Sequence, residues 1–214
     1  MAEAAAVLRP RHGGRPSREE SGRTEGRILD VARALFFRQG FAATSMEQVA
    51  AVAGISKRTL YARFRDKAAL FHGVVDRQVS GWRGSFEAGA KAPDTLPDAL
   101  LEAAHGILHV ALEPEALALH RIVVAEAERF PELARTLAST SAAGMEWVAA
   151  LLARFPAGAR LSPERRMFAA EQFLLLVVSG PRRRALGLGR PFDPAGLATW
   201  AERSVALFLN GIEG

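Results

Sequence analysis

Hydroxyl, cationic and phenolic side chains follow one another in a short segment, residues 56–61, that contains no acidic residue. Ammonium and guanidinium groups can donate hydrogen bonds to guanine O6 and N7. Hydroxyl groups suit phosphate oxygens, whose contacts fix position rather than sequence. A helix that presents such groups in its first turns is typical of proteins that read DNA. The candidate DNA-contacting residues of this segment are Ser56, Lys57, Arg58, Thr59 and Tyr61.

The residues around this segment predict two helices joined by a sharp turn, over about residues 46–65. Gly54 supplies the backbone freedom for the turn, and Ser56 is a good N-cap for the second helix. Leu60 and Phe64 lie four residues apart and would anchor that helix to the core. The pattern predicts a helix-turn-helix; an ordinary helical hairpin with a solvated basic face is the alternative.

Two further positions are predicted to meet DNA phosphates. Thr44 or Ser45 would cap the first of the two helices, whose N-terminal amides could then face a phosphate. Lys67 begins the following helix, where a cation and an amide cluster could hold another phosphate.

Basic charge is concentrated in the same part of the chain. The net charge is +5, and residues 1–70 hold 13 of the 28 Lys+Arg residues but only 7 of the 23 Asp+Glu residues. This end is therefore expected to attract polyanions. Taken alone, the charge fits equally a basic tail on an ordinary soluble protein.

Composition and motifs argue against several classes of protein. The chain has no cysteine, which excludes disulfides and thiolate metal sites. Its purely apolar runs, such as residues 147–153 and 173–178, are far shorter than the roughly 20 residues of a membrane span, and residues 1–20 lack the apolar centre of a signal peptide. A cytoplasmic location is expected. The sequence contains no GxGxxG, P-loop or GxSxG motif, so it predicts neither an enzyme nor a cofactor.

Apolar spacing and proline breaks predict an all-α fold. Residues 1–20, rich in Arg, Pro and Gly, are expected to form a disordered basic arm. Residues 21–70 would form a three-helix DNA-binding domain, and residues 71–214 a larger helical domain. The predicted helices cover residues 24–39, 45–53, 57–63, 67–91, 96–111, 114–129, 131–154, 163–187 and 194–211.

Residues 24–77 resemble the DNA-binding domain of the TetR/AcrR family of bacterial transcriptional regulators. Residues 121–133 more loosely resemble the ligand-binding part of one branch of that family. The stretches that carry the main resemblance are residues 27–32, 35–36, 40–45, 49–56, 59–64 and 67–70.

The resemblance implies a homodimer that binds a near-palindromic operator. It implies a C-terminal pocket whose effector moves the fourth helix and spreads the two recognition helices. It also implies that Lys57 and Arg58 face bases, that Thr59 and Tyr61 hold phosphates, and that Lys67 clamps the DNA backbone.

The basic arm has two interpretations that the sequence leaves open. It would reach along the DNA or into a minor groove, or it would simply be disordered.

Two C-terminal segments, residues 163–187 and 194–211, are rich in apolar side chains. The first is apolar around much of its circumference near residues 173–178, a pattern that favours burial on more than one side. Pairing of these helices with their copies in a four-helix dimer interface is predicted; burial within one subunit is the alternative.

The effector pocket is predicted only broadly. His105 and His109 share one helix face, but a metal site would need a third ligand such as Glu102 or Glu113, so no metal site is predicted. Residues 182–184, three consecutive arginines, are expected to lie in a solvated turn or helix end. The candidate pocket residues are Trp82, Phe86, His105, His109, Trp147 and Phe173.

Taken together, these features predict a sequence-specific DNA-binding transcriptional regulator, a repressor released from its operator by a small molecule. The first alternative is a helical small-molecule binding protein without specific DNA binding. A second alternative is a nucleoid-type protein that binds DNA without regard to sequence.

Overall fold

The computed structural model describes residues 18–87 and 93–213, and the side chains within residues 19–78 and 93–211. Every regular element in these ranges is an α-helix, as the sequence predicts. None of these helices combines the length and hydrophobicity that crossing a lipid bilayer requires. The helices are α1 (Arg18–Ala43), α2 (Met46–Val52), α3 (Lys57–Tyr61), α4 (Lys67–Glu87), α5 (Leu96–Ala111), α6 (Pro114–Glu126), α7 (Pro131–Ala153), α8 (Pro156–Ala159), α9 (Pro163–Ala185) and α10 (Pro194–Glu213).

The start of α1 differs from the prediction. The helix begins at Arg18 rather than at residue 24, inside the segment expected to be a disordered arm. Two local contacts account for the extra turn: Arg23 pairs with Glu19 at 2.7 Å, and the Thr24 hydroxyl donates to a backbone carbonyl four residues earlier. Pairs at this spacing stabilise a helix. The rest of the predicted arm, residues 1–17, lies outside the described residues.

Two other helix boundaries differ as well. The short α8 was not predicted; Pro156 occupies its first turn, where a missing N–H carries no penalty. The described part of α4 ends at Glu87, and residues 88–91 of the predicted helix lie outside the described residues. The other helices match the predicted ones to within about three residues.

The N-terminal core is built from the apolar faces of α1 to α4. It also includes Leu119 and Val123 of α6 and Leu133 of α7. The first four helices therefore pack directly against α6 and α7 rather than forming a separate bundle. Fully buried members of this core are Ile28, Phe36, Val49, Leu60, Leu70 and Phe71.

A second core lies between α5, α7, α9 and α10. The rings of Phe173 and Phe208 meet at 5.1 Å between centroids. A Cβ on Gly180 would lie 2.6 Å from the Trp200 ring, and the indole N–H of Trp200 donates to the Val177 carbonyl at 2.9 Å. Because only glycine permits this approach, α9 and α10 form a tightly packed pair.

Candidate DNA-binding surface and ligand cavity

Helices α2 and α3 form the predicted helix-turn-helix. The Ser45 hydroxyl accepts a hydrogen bond from the Gln48 N–H at 3.1 Å and caps α2. The Ser56 hydroxyl accepts from the Thr59 N–H at 3.0 Å and caps α3. Gly54, between them, has a φ of +63°, a left-handed conformation that favours glycine. These caps and this turn confirm the local structure that the residue types predict.

The surface of α3 carries the predicted DNA-contacting side chains. Lys57, Arg58 and Tyr61 are exposed, whereas Leu60 is completely buried and holds the helix against the core. The hydroxyls of Ser56 and Thr59 lie 2.8 Å apart in the cap itself. The cations and the phenol therefore point outward while the two hydroxyls fix the start of the helix.

Lys57 also contacts the preceding helix. Its ammonium lies 3.5 Å from the Glu47 carboxylate. A backbone hydrogen bond at Glu47, and then the charge of Lys57, lower the pKa of Glu47. Both side chains are largely exposed, so this ion pair is weak and leaves Lys57 accessible to DNA.

Thr44 does not lie on this surface. It is 1% exposed; its hydroxyl donates to the Gly40 carbonyl at 2.8 Å and accepts from Gln39. Of the two residues predicted to cap α2, Ser45 alone does so. A buried and bonded hydroxyl cannot reach a phosphate, so the structure removes Thr44 from the predicted contact set.

Lys67 has a different role from the predicted phosphate clamp. Its ammonium donates to the carbonyls of Phe41, Ala42 and Thr44 at 2.7, 3.2 and 2.8 Å. An ammonium has three donors, and these bonds use all of them. Desolvation lowers the pKa of Lys67, an effect opposed by the charge of Glu126. Gly40 has a non-helical conformation that breaks α1, and residues 40–45 are here called the α1–α2 connection. Lys67 thus fastens this connection to the start of α4.

Glu126, at the end of α6, holds the same connection from the other side. Its carboxylate accepts hydrogen bonds from the backbone N–H groups of Phe41 and Ala42, both at 2.9 Å. Gly40 precedes them at φ 81° and ψ 172°, a conformation that only glycine adopts readily. The connection to the helix-turn-helix is therefore bound directly to α6.

Aromatic rings link this connection to the interior. Phe41 meets Phe71 of α4 at 5.5 Å and Phe130 at 5.1 Å between ring centroids, both edge to face. The Lys67 ammonium lies 4.4 Å from the Phe41 ring centroid, within range of a cation–π interaction. Phe71 also lines a cavity. A displacement of the Phe71 ring by a molecule in the cavity would therefore act on Phe41, and so on residues 40–45, through a single ring contact.

The cavity lies between α4, α5, α6, α7 and α9 and has a volume of about 430 Å³. Its size is in the range of small-molecule sites, roughly 300–1,000 Å³. Its lining is mostly apolar and includes Phe71, Val75, Ile107, Val110, Leu119, Val123, Leu137, Met145, Leu174 and Val178. A cavity of this character suits a largely apolar small molecule.

Two polar side chains in the lining have unusual surroundings. The Nδ1 atom of His120 is shielded from solvent and has no hydrogen-bond partner among the described residues. Burial, and then the charge of Arg182, lower the pKa of His120. Burial also lowers the pKa of Arg182, and no carboxylate in the described part of the chain forms an ion pair with it. Residues 182–184 lie at a helix end, as predicted, in the last turn of α9, but Arg182 is half-buried in the cavity wall rather than solvated.

The predicted pocket residues lie elsewhere. His105 and His109 are exposed on the outer face of α5, and Phe173 is completely buried in the second core. Trp147 is half-buried against that core and is not part of the cavity wall. Trp82 and Phe86 were also predicted to line the pocket, but their side chains are not among those that the structure describes.

His120 and Arg182, the polar cavity residues that the sequence analysis did not identify, both interrupt an apolar helix face. His120 occupies the apolar face of α6, four residues after Ala116 and three before Val123. Arg182 follows Leu174 and Val178 at intervals of four on α9. A polar residue that interrupts an apolar stripe at helical spacing is a candidate for a polar group in a buried site.

Comparisons with known proteins agree with this architecture. Residues 28–74 match the family described as "Bacterial regulatory proteins, tetR family". Residues 98–211 match the "AefR-like transcriptional repressor, C-terminal domain". The two matches correspond to the helix-turn-helix end and to the domain that contains most of the cavity.

Individual relatives are similar over different lengths. The regulator AcrR of Shigella flexneri is 40% identical over 66 residues, which is 31% of this chain and 31% of that protein. The chain thus spans less than a third of that curated relative's length in the match.

Two solved structures are similar over nearly the whole chain. A TetR-family regulator from Mesorhizobium loti is 27% identical with a TM-score of 0.73, and the match covers 92% of this chain and 98% of that one. The flavonoid-responsive regulator FrrA is 33% identical with a TM-score of 0.70, covering 89% and 97%. These relatives are regulators rather than enzymes. The chain belongs to the TetR family of bacterial regulatory proteins.

Proposed function

We propose that this protein is a dimeric transcriptional repressor that binds a palindromic operator through α3 and leaves it when a small molecule fills the cavity. The observation that carries the proposal is the exposed face of α3. Its cap and its buried Leu60 hold the helix rigidly, while Lys57, Arg58 and Tyr61 face outward. Residues 21–70 would serve DNA binding and residues 71–214 effector binding and dimerisation. Such a protein would act in the cytoplasm, beside the bacterial chromosome.

Exposed apolar side chains on α9 and α10 support a dimer through these helices. Phe168 on α9 is 63% exposed, and Leu175, two turns later at the edge of the cavity wall, is 51% exposed. Leu207 on α10 is 62% exposed. Since α9 and α10 pack tightly against each other, these side chains fit one self-complementary four-helix interface. The two recognition helices would then be related by a two-fold axis, as a palindrome requires.

The route from the cavity to DNA would run through both ends of α6 and the start of α4. Arg33 of α1 forms an ion pair with Glu115 in the first turn of α6. Glu126 binds residues 41 and 42 at the other end. A ligand that displaces α4 or α6 would therefore move the α1–α2 connection and, with it, α3.

The effector class is supported by the cavity and by one relative. FrrA is named as flavonoid-responsive. A cavity of about 430 Å³ with mainly apolar walls suits a planar aromatic molecule of that size. A polycyclic aromatic effector is therefore part of the proposal.

The test is fluorescence anisotropy with the protein's own upstream intergenic DNA and a scrambled duplex of equal length, across a salt series. A regulator should prefer the first duplex by about 10³-fold or more. Its log affinity should fall by about 0.9 per phosphate contact per decade of salt. Arg160→Ala, which removes an exposed cation at the end of α8, is the charge control and should bind as the wild type does.

Equal, weak binding to both duplexes, together with failure to select any site from random DNA, would contradict the proposal. Ligand binding without specific DNA binding would favour a plain small-molecule binding protein. Addition of a panel of flavonoids and polycyclic aromatic carboxylates to the operator complex tests release. Specific DNA binding that no panel member disrupts would overturn the effector class alone.

A further inference from the structure

We infer that the cavity selects a mostly apolar molecule with a single carboxylate, bound between the Arg182 guanidinium and the Nδ1 of His120. This inference deepens the proposed function, because it names the chemical class of the effector. It depends on the positions of His120 and Arg182: among the described residues, His120 Nδ1 has no hydrogen-bond partner and Arg182 has no ion-pair partner.

The first observation is an unused imidazole nitrogen. His120 Nδ1 is inaccessible to solvent and unbonded among the described residues. A buried polar atom without a partner destabilises a fold, so such atoms are rare in native structures. Because His120 lines the cavity, rotation of its ring about χ2 would turn Nδ1 toward the cavity, where a bound molecule can supply the missing partner.

The second observation is an unpaired cation in the same wall. Arg182 is half-buried, and no acidic side chain in the described part of the chain neutralises it. A desolvated guanidinium is costly unless an anion pairs with it. Arg182 of α9 and His120 of α6 both line this one cavity, so the two side chains lie in walls that face the same space.

These two donors match a carboxylate. Arginine donates through a planar fork that suits the two oxygens of a carboxylate, and the Nδ1–H tautomer of His120 adds a third donor. A phenolate offers one oxygen and cannot match both arms of the guanidinium fork with parallel hydrogen bonds. The arrangement therefore favours a carboxylate over other anionic oxygen groups.

The far end of the cavity limits the ligand to one anionic group. Glu171 also lines the cavity, three helical turns before Arg182 on α9. At about 1.5 Å per residue, the two positions are separated by roughly 16 Å along the helix. Glu171 is exposed at that end and would repel a second carboxylate. The walls between them are mostly apolar, with Thr140 and Ser179 as polar exceptions, so the middle of the ligand should be mostly apolar too.

The test is calorimetric titration of the full chain with 2-naphthoate and with its neutral isostere 2-naphthamide. Naphthoate should bind about ten- to a hundredfold more tightly, the range expected for hydrogen bonds to a charged group. Arg182→Gln should remove this preference by weakening naphthoate binding alone. His120→Phe should reduce it. Arg182→Lys should retain part of it, because the charge remains.

The matched control is Arg183→Gln, which removes the neighbouring exposed arginine and should leave the preference unchanged. Thermal unfolding without ligand reports folding. Arg182→Gln should unfold at the same or a higher temperature than the wild type, since it removes a desolvated and unpaired cation. A large fall in unfolding temperature would instead indicate that Arg182 supports the fold.

Equal affinity for the two probes, binding of neither, or an unchanged preference in Arg182→Gln would overturn the inference. The anisotropy assay on the same preparations separates the two proposals. Specific DNA binding without naphthoate selectivity would contradict only the carboxylate site. Naphthoate selectivity through Arg182 without specific DNA binding would contradict only the regulatory function.

Discussion

Lys57 and Tyr61 lie on the same exposed face of α3 but should contribute differently to DNA binding. Lys57→Ala should change the preference among operator variants by about 1–3 kcal/mol at one base pair, because it removes a donor to a base edge. Tyr61→Phe should weaken all variants by a similar factor, since a phosphate contact carries no sequence information. Competition binding over single-base operator variants measures both effects.

Glu47→Gln is the control for Lys57, since it breaks the exposed ion pair and leaves the lysine in place. It should leave the order of operator preferences unchanged. An equal loss on every variant for Lys57→Ala would assign Lys57 to the phosphate backbone.

His120 should make the stability of the protein depend on pH. Burial lowers its pKa below the ordinary value of 6.5. Below pH 6.5 the unfolded chain therefore binds a proton more readily than the folded chain, and stability falls as the pH falls. The loss should begin below 6.5 and level off below the folded-state pKa.

Denaturant unfolding at a series of pH values from 7.5 downward measures this dependence. His120→Gln should flatten the curve in the window below pH 6.5. His105→Gln, at an exposed position of α5, should follow the wild-type curve. Identical curves for all three proteins would show that His120 does not titrate differently in the folded state.

At the scale of the helices and their connections, the α1–α2 connection requires the left-handed backbone conformation of Gly40. An alanine there would be strained at φ 81°, and its Cβ would lie 3.0 Å from a Glu126 carboxylate oxygen. Gly40→Ala should therefore lower the free energy of unfolding by about 1–3 kcal/mol. Gly22→Ala is the control: no atom outside its own helix lies within 4 Å of the new Cβ, so stability should stay equal or rise. Denaturant unfolding of both variants measures the difference, and equal stability would contradict the role of Gly40.

The helices themselves were predictable because their determinants are local. Ser45 and Ser56 cap the helices that follow them, and Gly54 adopts the left-handed turn. Each of these effects involves residues within about four positions of one another. The early start of α1 was missed because it depends on a few weak contacts, such as Glu19 with Arg23, in a segment of unfavourable composition.

The true role of Lys67 was not predictable from side-chain types. Its partners are the backbone carbonyls of residues 41, 42 and 44. Every residue has a backbone carbonyl, so the residue types do not indicate which carbonyls accept hydrogen bonds from Lys67. Glu126 was equally hidden, since it binds backbone N–H groups more than 80 positions earlier in the chain. Only the packing of α6 against α1 brings these groups together.

At the scale of the whole molecule, the pocket was the part that sequence reasoning misplaced. Aromatic residues and paired histidines suggested it, but Phe173 fills the second core and His105 faces outward. Which apolar residues line a cavity depends on how five helices meet, and periodicity records only that a residue faces inward. His120 and Arg182 could have been identified as polar interruptions of apolar stripes.

The dimer interface gives the last prediction at this scale. Phe168→Glu combined with Leu207→Glu should convert the protein to a monomer, because it places four carboxylates in one two-fold interface. Operator affinity should fall by about 10²-fold or more, since each half-site would then be bound separately. Val124→Glu is the control, as Val124 is 69% exposed and belongs to α6, outside the two helices of the proposed interface. Light scattering coupled to size exclusion measures the mass, and anisotropy measures the affinity.

A double variant that stays dimeric would assign the interface to another face. A monomer with undiminished operator affinity would contradict the palindromic mode of binding, because one α3 would then account for the whole interaction.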